Sequence, residues 1–83
     1  MSEVEFDELA GRIDAVAKAL LQVTARLEMN GVIDGPQLSR AWRQAVKPGQ
    51  TPAHTASHRV LLELADVLDD ARRSRHRSQG IPA

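Results

Sequence analysis

The sequence contains no cysteine, so the chain has neither disulfide bonds nor thiolate metal ligands. Its only aromatic side chains are Phe6 and Trp42, too few to form a platform on which nucleic-acid bases stack. No apolar run approaches the roughly 20 residues that span a bilayer. The acidic segment 1–8 lacks the positive flank and apolar run of a signal peptide. These absences favour a soluble, cytoplasmic protein.

Net charge and chain length further restrict the kind of protein that this sequence can encode. Eleven basic and eleven acidic residues cancel, and such a balance is untypical of a dedicated nucleic-acid binder. At 83 residues the chain is long enough for one small domain with a marginal core. Because disulfides are excluded, oligomerisation is the common remaining way to stabilise such a core, and we expect a homodimer.

One apolar stripe dominates the first third of the chain. Its members alternate between spacings of three and four residues over three heptads, which predicts one long helix over residues 3–30. Ser2 is a suitable N-cap for this helix, and Gly31 suits a left-handed C-cap. We call the following set the apolar stripe: Phe6, Leu9, Ile13, Val16, Leu20, Val23 and Leu27.

Two proline residues mark the starts of two further helices. Pro36 and Pro52 each suit the first turn of a helix, and they predict helices over residues 36–46 and 52–73. The segment 75–83 contains a glycine and a proline and is predicted to be a disordered basic tail behind a single helical domain at 1–74.

The third predicted helix carries a broad apolar face, which indicates two packing neighbours. Its contribution to the predicted core and dimer seam consists of Leu61, Leu64 and Leu68. The predicted fold class is therefore all-α, with a long, a short and a long helix in a hairpin or bundle. Two copies would form a four-helix-type bundle, because the short helix cannot cover the whole apolar stripe. In an antiparallel dimer, the acidic start of one chain would lie near the basic end of the other.

Histidine residues provide the only metal-like spacing. His54 and His58 lie four residues apart, which puts both imidazoles on one helix face. The corresponding metalloprotease motif needs Glu directly after the first histidine, and Thr55 stands there instead. A third ligand could come from His76, but this residue lies in the predicted tail. The pattern favours histidines at the edge of the core, so we predict no metal, no cofactor and no enzymatic activity.

Acidic residues on the third helix are predicted to form a solvated, salt-bridged face rather than a di-metal site. A di-metal carboxylate bundle needs inward-facing acids with a Glu-x-x-His companion, which the sequence lacks. The residues in question are Glu63, Asp66, Asp69 and Asp70.

Tryptophan and arginine dominate protein-binding hot spots, and both types occur on the second and third helices. Trp42 is either a partner contact or a lid on the core. The arginines near residue 75 either contact nucleic acid or an acidic partner, or they place positive charge at a helix C-terminus. The candidate partner-binding residues are Trp42, Arg40, Arg43, Arg72, Arg73, Arg75 and Arg77.

The joint between the first two helices resembles that of small bacterial helical modules. Residues 27–38 read Leu-Glu-Met-Asn-Gly-Val-Ile-Asp-Gly-Pro-Gln-Leu. A helix, Gly-Val-Ile, an acid and a second helix also occur in the short C-terminal domain of the SHOCT type. The resemblance covers about a dozen residues and implies only that two helices meet here.

The sequence therefore predicts a non-enzymatic interaction module of bacterial or phage accessory type. Such a protein would be an adaptor, regulator or inhibitor that binds another protein. The alternative is a dimeric nucleic-acid-associated regulator that uses its basic C-terminal tails.

Overall fold

A computed structural model describes residues 1–47, 49 and 51–80 of the chain. It contains three helices: α1 (Glu3–Met29), α2 (Gly35–Gln44) and α3 (Pro52–Ser78). No strand occurs in the part of the chain that is described. The prediction of an all-α fold with a long, a short and a long helix is confirmed.

Each helix begins at a side chain that caps its N-terminus. Ser2, Asp34 and Thr51 accept a hydrogen bond from the backbone N–H three residues further on, at distances between 2.9 and 3.1 Å. Pro36 and Pro52 occupy the first turns of α2 and α3, where a missing N–H costs no helical hydrogen bond. The helix starts thus follow from local sequence.

The end of α1 is a Schellman motif. Gly31 has a φ of 73°, a conformation that side chains with a Cβ rarely adopt. The N–H of Val32 donates to the carbonyl of Leu27 at 2.9 Å, and the N–H of Gly31 donates to that of Glu28 at 3.0 Å. These two bonds satisfy carbonyls that the end of the helix would leave unpaired.

Helix α3 continues past its predicted end at Arg73 as far as Ser78. No glycine or proline occurs between these positions, and Gly80, with a φ of 73°, supplies the left-handed residue after the helix. The first part of the predicted tail is therefore helical, with its basic residues at the negative end of the helix dipole. Residues 81–83 of that tail lie outside the described residues.

Helices α2 and α3 form an antiparallel hairpin. In the middle of α2, the hydroxyl of Ser39 donates to Asp69 in the second half of α3 at 2.8 Å. Beyond the end of α2, Nδ1 of His58 near the start of α3 lies 2.8 Å from the carbonyl of Val46, which can accept its hydrogen. The connection between the two helices is short, so they pack against each other along the whole length of α2.

Helix α1 joins this hairpin mainly through its C-terminal half. Its residue Glu28 contacts Arg72 near the end of α3, so the C-terminal ends of both long helices lie together. Towards their N-termini, Ile13 and Val60 lie on opposite walls of an open groove. The two long helices therefore run in the same direction, and the described residues form an elongated body of 48 × 28 × 20 Å.

The apolar core is small and belongs to α3. Ala65 and Leu68 are the fully buried apolar residues among those described, and Leu61 and Leu64 are half-buried. A core of this size offers little hydrophobic stabilisation, so polar contacts between the helices carry unusual weight in this chain.

Candidate interaction surface

The apolar stripe of α1 lies in solvent. Its seven side chains are between 36% and 68% exposed, with Leu27 the least and Val16 the most accessible. Neither α2 nor α3 covers the stripe, so within one chain it is not part of the core. Its assignment as a dimer seam stays a prediction.

A different face of α1 packs against the rest of the chain. Thr24 is buried, and Ala17, Leu21 and Glu28 are partly buried. These positions lie three or four residues apart on a face that is rotated from the apolar stripe. Small residues at two of these positions allow a close approach of α3, and the partly buried Glu28 is paired with arginines on α3. Together they turn the apolar stripe away from the hairpin.

A groove lies directly beside the apolar stripe, between the N-terminal halves of α1 and α3. It has a volume of about 430 Å³. Ile13 of the stripe forms one wall, and Val60 and Val67, which are 40% and 50% exposed, belong to the other. The apolar surface of α1 thus continues across the groove onto α3, which widens the surface available to another helix.

Asp69 is the centre of a buried polar contact between α2 and α3. Its side chain accepts hydrogen bonds from Ser39 at 2.8 Å, Arg43 at 2.8 Å and Arg72 at 3.0 Å. Arg43 also donates to Asp66 at 2.9 Å. A carboxylate buried among three donors is fully satisfied, and it fixes the position of α2 along α3.

The surroundings of Asp69 stabilise its charged form. Burial by itself raises the pKa of this carboxyl. The hydrogen bonds from Arg43, Ser39 and Arg72, together with the charge of Arg43, lower the pKa by more than burial raises it. The pKa of Asp69 therefore falls from 3.8 to about 2. Burial lowers the pKa of Arg72, but the hydrogen bonds to Glu28 and Asp69 and the charges of these two carboxylates raise it above its ordinary value.

Glu28 extends the buried polar contact from α3 to α1. Its Oε1 accepts a hydrogen bond from Nε of Arg72, and Nη2 of Arg75 lies 3.4 Å from its Oε2. This second oxygen is buried and accepts no hydrogen bond within the described part of the chain. We refer to the following residues as the ion cluster: Glu28, Ser39, Arg43, Asp66, Asp69, Arg72 and Arg75.

The start of α2 is shaped to receive Glu28. A Cβ added at Gly35 would overlap the carboxylate of Glu28, so the glycine leaves room for this side chain. Gly35 and Ser39 are both buried and lie four residues apart on one face of α2. This pair of small residues is the sequence signal that could have revealed the close approach of the helices.

The ion cluster corrects the prediction of a solvated acidic face on α3. Asp66 and Asp70 are exposed as expected, and so is Glu63. Asp69 is instead buried, with 8% of its surface exposed, because Ser39 and the arginines of the cluster surround it. Sequence reasoning missed Glu28, Ser39 and Asp69 as a connected set.

Most of the arginines proposed as partner contacts are engaged within the chain. Arg43, Arg72 and Arg75 belong to the ion cluster, and Arg73 pairs with the exposed Asp70 at 2.7 Å. Arg40 and Arg77 are exposed, and no carboxylate within the described residues forms an ion pair with either. Trp42 is half-buried on α2, between its two predicted roles.

The histidine pair is placed at the start of α3. Nδ1 of His54 lies 2.8 Å from the hydroxyl of Thr51, and Nδ1 of His58 contacts the carbonyl of Val46. His76 lies seven residues after Asp69 on α3 and lines a cleft together with Arg72. Across residues 1–47, 49 and 51–80, no three His, Cys, Asp or Glu side chains come together as a metal site would require.

Comparisons with known proteins found no match from which a function could be inferred. No family model matches the chain, and neither curated protein sequences nor solved structures contain a significant match. Within the described residues, no helix combines the length and the apolar content needed to cross a membrane.

Proposed function

We propose that this chain is a non-enzymatic helical interaction module that acts in the cytoplasm as a homodimer. It would serve as an adaptor, regulator or inhibitor that binds another protein. The observation that carries the proposal is the exposed apolar stripe on α1, which contains most of the large apolar side chains of the helix. Within one chain the stripe is exposed, whereas Ala65 and Leu68 are the fully buried apolar residues among those described.

The size of the exposed surface supports association. From the exposed fractions of its seven side chains, the apolar stripe presents about 600 Å² per chain, at the upper end for the largest patch on a monomer. At about 25 cal/mol per Å², removing this area from water yields a gross gain of about 15 kcal/mol for each chain. A substantial part of that gain offsets the loss of translational freedom and the ordering of side chains. An exposed apolar surface of this size therefore favours association.

A dimer formed through the apolar stripe leaves a separate surface for a second protein. This surface comprises α2, with Trp42 and Arg40, and the last turn of α3, with Arg77. The ion cluster holds these elements in fixed positions relative to α1, as an interaction surface requires. Arg43 and Arg72 would act by positioning α2 and α3, since their guanidinium groups are already paired.

The solution mass tests this proposal. We expect light scattering over a dilution series to give about twice the chain mass of 9.1 kDa at micromolar concentration. Val16→Glu places a charge at the most exposed position of the stripe and should give the monomer mass. Gln22→Glu adds the same charge at an exposed position off the stripe and should leave the dimer unchanged. A wild-type chain that remains monomeric up to about 100 μM, with a mass that Val16→Glu does not alter, would refute the proposal.

The alternative, a dimeric nucleic-acid-associated regulator, uses the basic residues at the end of α3. Three of its four arginines already contact carboxylates of the same chain, which leaves little free positive charge for phosphate groups. Fluorescence anisotropy with a labelled DNA duplex separates the two functions. Saturable binding that Arg77→Gln weakens and the matched surface change Arg59→Gln does not would favour the alternative. We expect no saturable binding at physiological salt.

A further inference from the structure

We propose that the occupant of the apolar stripe is α1 of a second copy of this chain, in antiparallel orientation and in one register. The inference rests on the proposed function, because it takes the stripe as the association surface, and it names the partner and its alignment. Three kinds of apolar layer, each occurring twice, would fill the seam. Across the two chains they pair Phe6 with Val23, Leu9 with Leu20, and Ile13 with Val16.

Two edges flank the stripe, and they differ in character. One edge is small and uncharged, with Ala10, Ala17 and Thr24, and it faces the groove and α3. The other edge faces solvent. Its residues are seven positions apart, and each stands immediately before a member of the stripe in the sequence. Its residues are Glu5, Arg12, Ala19 and Arg26. In an antiparallel helix pair each edge faces its own counterpart, so this second edge decides which charges meet.

The charges on the solvent edge favour one register. With the layers given above, Glu5 of each chain faces Arg26 of the other, so the pair occurs twice, and Arg12 faces Ala19. Neither Glu5 nor Arg26 forms an ion pair within its own chain among the described residues. Both side chains are exposed and free to reach across the interface.

Neighbouring registers are less favourable. A shift of one heptad in one direction places Arg12 opposite Arg26 twice. The opposite shift places Arg12 opposite its own symmetry mate and removes two apolar layers. Like charges across a helix interface oppose association, whereas Glu–Arg pairs support it. The first shift keeps six apolar layers and is disfavoured by charge alone, whereas the second is disfavoured by both charge and layer number.

A parallel pairing is disfavoured for two reasons. It forms no Glu–Arg pair across the seam, since each charged edge position then faces Ala, Thr or the end of the helix. It also brings two acidic first turns together, with Glu3 and Glu5 of each chain at the same end. The antiparallel pair instead places this acidic turn beside the partner's C-terminal end of α1, where its Arg26 and the basic end of its α3 lie.

The interface reaches the size that a specific complex needs. Complete coverage of the stripe on both chains would bury about 1,200 Å², at the lower limit for stable protein interfaces. The groove adds Val60 and Val67, which lie on the small-edge side of the stripe. In the antiparallel dimer both copies of α3 flank the seam on this same side, so these valines become partly covered.

Disulfide trapping tests the orientation directly, because the chain has no cysteine of its own. Leu9→Cys and isotope-labelled Leu20→Cys are mixed and oxidised in a glutathione buffer, and the products are separated by mass. We expect the mixed disulfide to exceed either symmetric disulfide by about tenfold. A mixture of Leu9→Cys with labelled Leu27→Cys tests the register one heptad away and should give no such excess. Predominance of symmetric disulfides would overturn the antiparallel orientation.

Charge reversal supplies a second measurement that does not alter the apolar layers. Glu5→Arg should raise the dimer dissociation constant about tenfold, since two attractive pairs become repulsive. Adding Arg26→Glu should restore the constant to within about threefold of wild type. Glu3→Arg is the matched control, because it changes the same helix turn and the same net charge without facing Arg26. A dimer that responds equally to Glu5→Arg and Glu3→Arg would refute the register.

The two proposals fail in different ways. If the wild-type chain is a dimer by mass but gives symmetric disulfides, or shows no rescue by the double charge reversal, the antiparallel register is wrong and the association surface stands. If Val16→Glu leaves the mass unchanged and the chain is monomeric, the stripe is not an association surface, and the register falls with it.

Discussion

Asp69→Asn offers the most direct test of the ion cluster. The substitution keeps the shape of the side chain and an oxygen that Ser39 can bond, but it removes the negative charge between Arg43 and Arg72. Both arginine side chains would then stay partly buried without a carboxylate from residue 69 to pair with. Breaking a buried ion pair on one side is costly, because the remaining charge keeps its desolvation penalty.

The pKa of Asp69 sets the magnitude of this effect. Its decrease from 3.8 to about 2 corresponds to about 2 kcal/mol of preferential stabilisation of the charged carboxylate in the folded chain. Arg43 is one-third exposed, so water compensates part of its loss. We therefore expect Asp69→Asn to lower the free energy of unfolding by about 2 kcal/mol at pH 7.

Urea unfolding followed by circular dichroism measures this change at one fixed protein concentration, since dimerisation makes stability concentration-dependent. With an m-value of about 1 kcal/mol/M for a chain of this size, the midpoint should fall by about 2 M. Asp70→Asn is the matched control: its carboxylate is 73% exposed and should contribute less than about 0.5 kcal/mol. Equal midpoints for the two variants would show that the Asp69 contacts contribute nothing beyond an exposed pair.

Three further outcomes are expected. The stabilisation from Asp69 is present above pH 4 and is lost as the pH falls towards 2, because the pKa of Asp69 is lower in the folded chain than in the unfolded chain. The pH dependence of the free energy of unfolding should therefore differ between wild type and Asp69→Asn only between about pH 4 and pH 2. Gly35→Ala should lower the free energy of unfolding by about 1–2 kcal/mol, since the added Cβ displaces the carboxylate of Glu28, and an unchanged urea midpoint would contradict this. Calorimetric titration with zinc should show no binding tighter than millimolar, because His54 and His58 have no third ligand nearby among the described residues; tighter binding that His54→Ala removes would contradict this.

Helix identity and helix ends were largely predictable from local sequence. Ser2, Thr51 and the first-turn prolines specify where helices begin, and Gly31 specifies where α1 ends, since each acts through hydrogen bonds or backbone angles within a few residues. The end of α3 was placed five residues too early, at Arg73 instead of Ser78. The stretch beyond Arg73 is polar and basic and lacks the apolar pattern on which the boundary was based.

Packing partners were less predictable, because periodicity reports which face of a helix is apolar and does not report what covers it. The apolar stripe of α1 was correctly placed on one helix face, yet α3 packs against the adjacent face instead. The face that α3 contacts contains Ala17, Thr24 and Glu28, a combination with little hydrophobic signal. Its importance depends on arginines more than forty residues away in the sequence.

The sequence alone determined that this chain is all-helical, where its helices begin, and that one of them carries an unbroken apolar stripe, because caps, prolines and heptad spacing act locally. The tertiary structure decided that α2 and α3 form the hairpin, that Asp69 and Glu28 are buried in one ion cluster, and that the stripe remains exposed. These features arise from contacts between residues distant in sequence. Their energies depend on burial and on the geometry of the charged groups, and both exist only once the helices have come together.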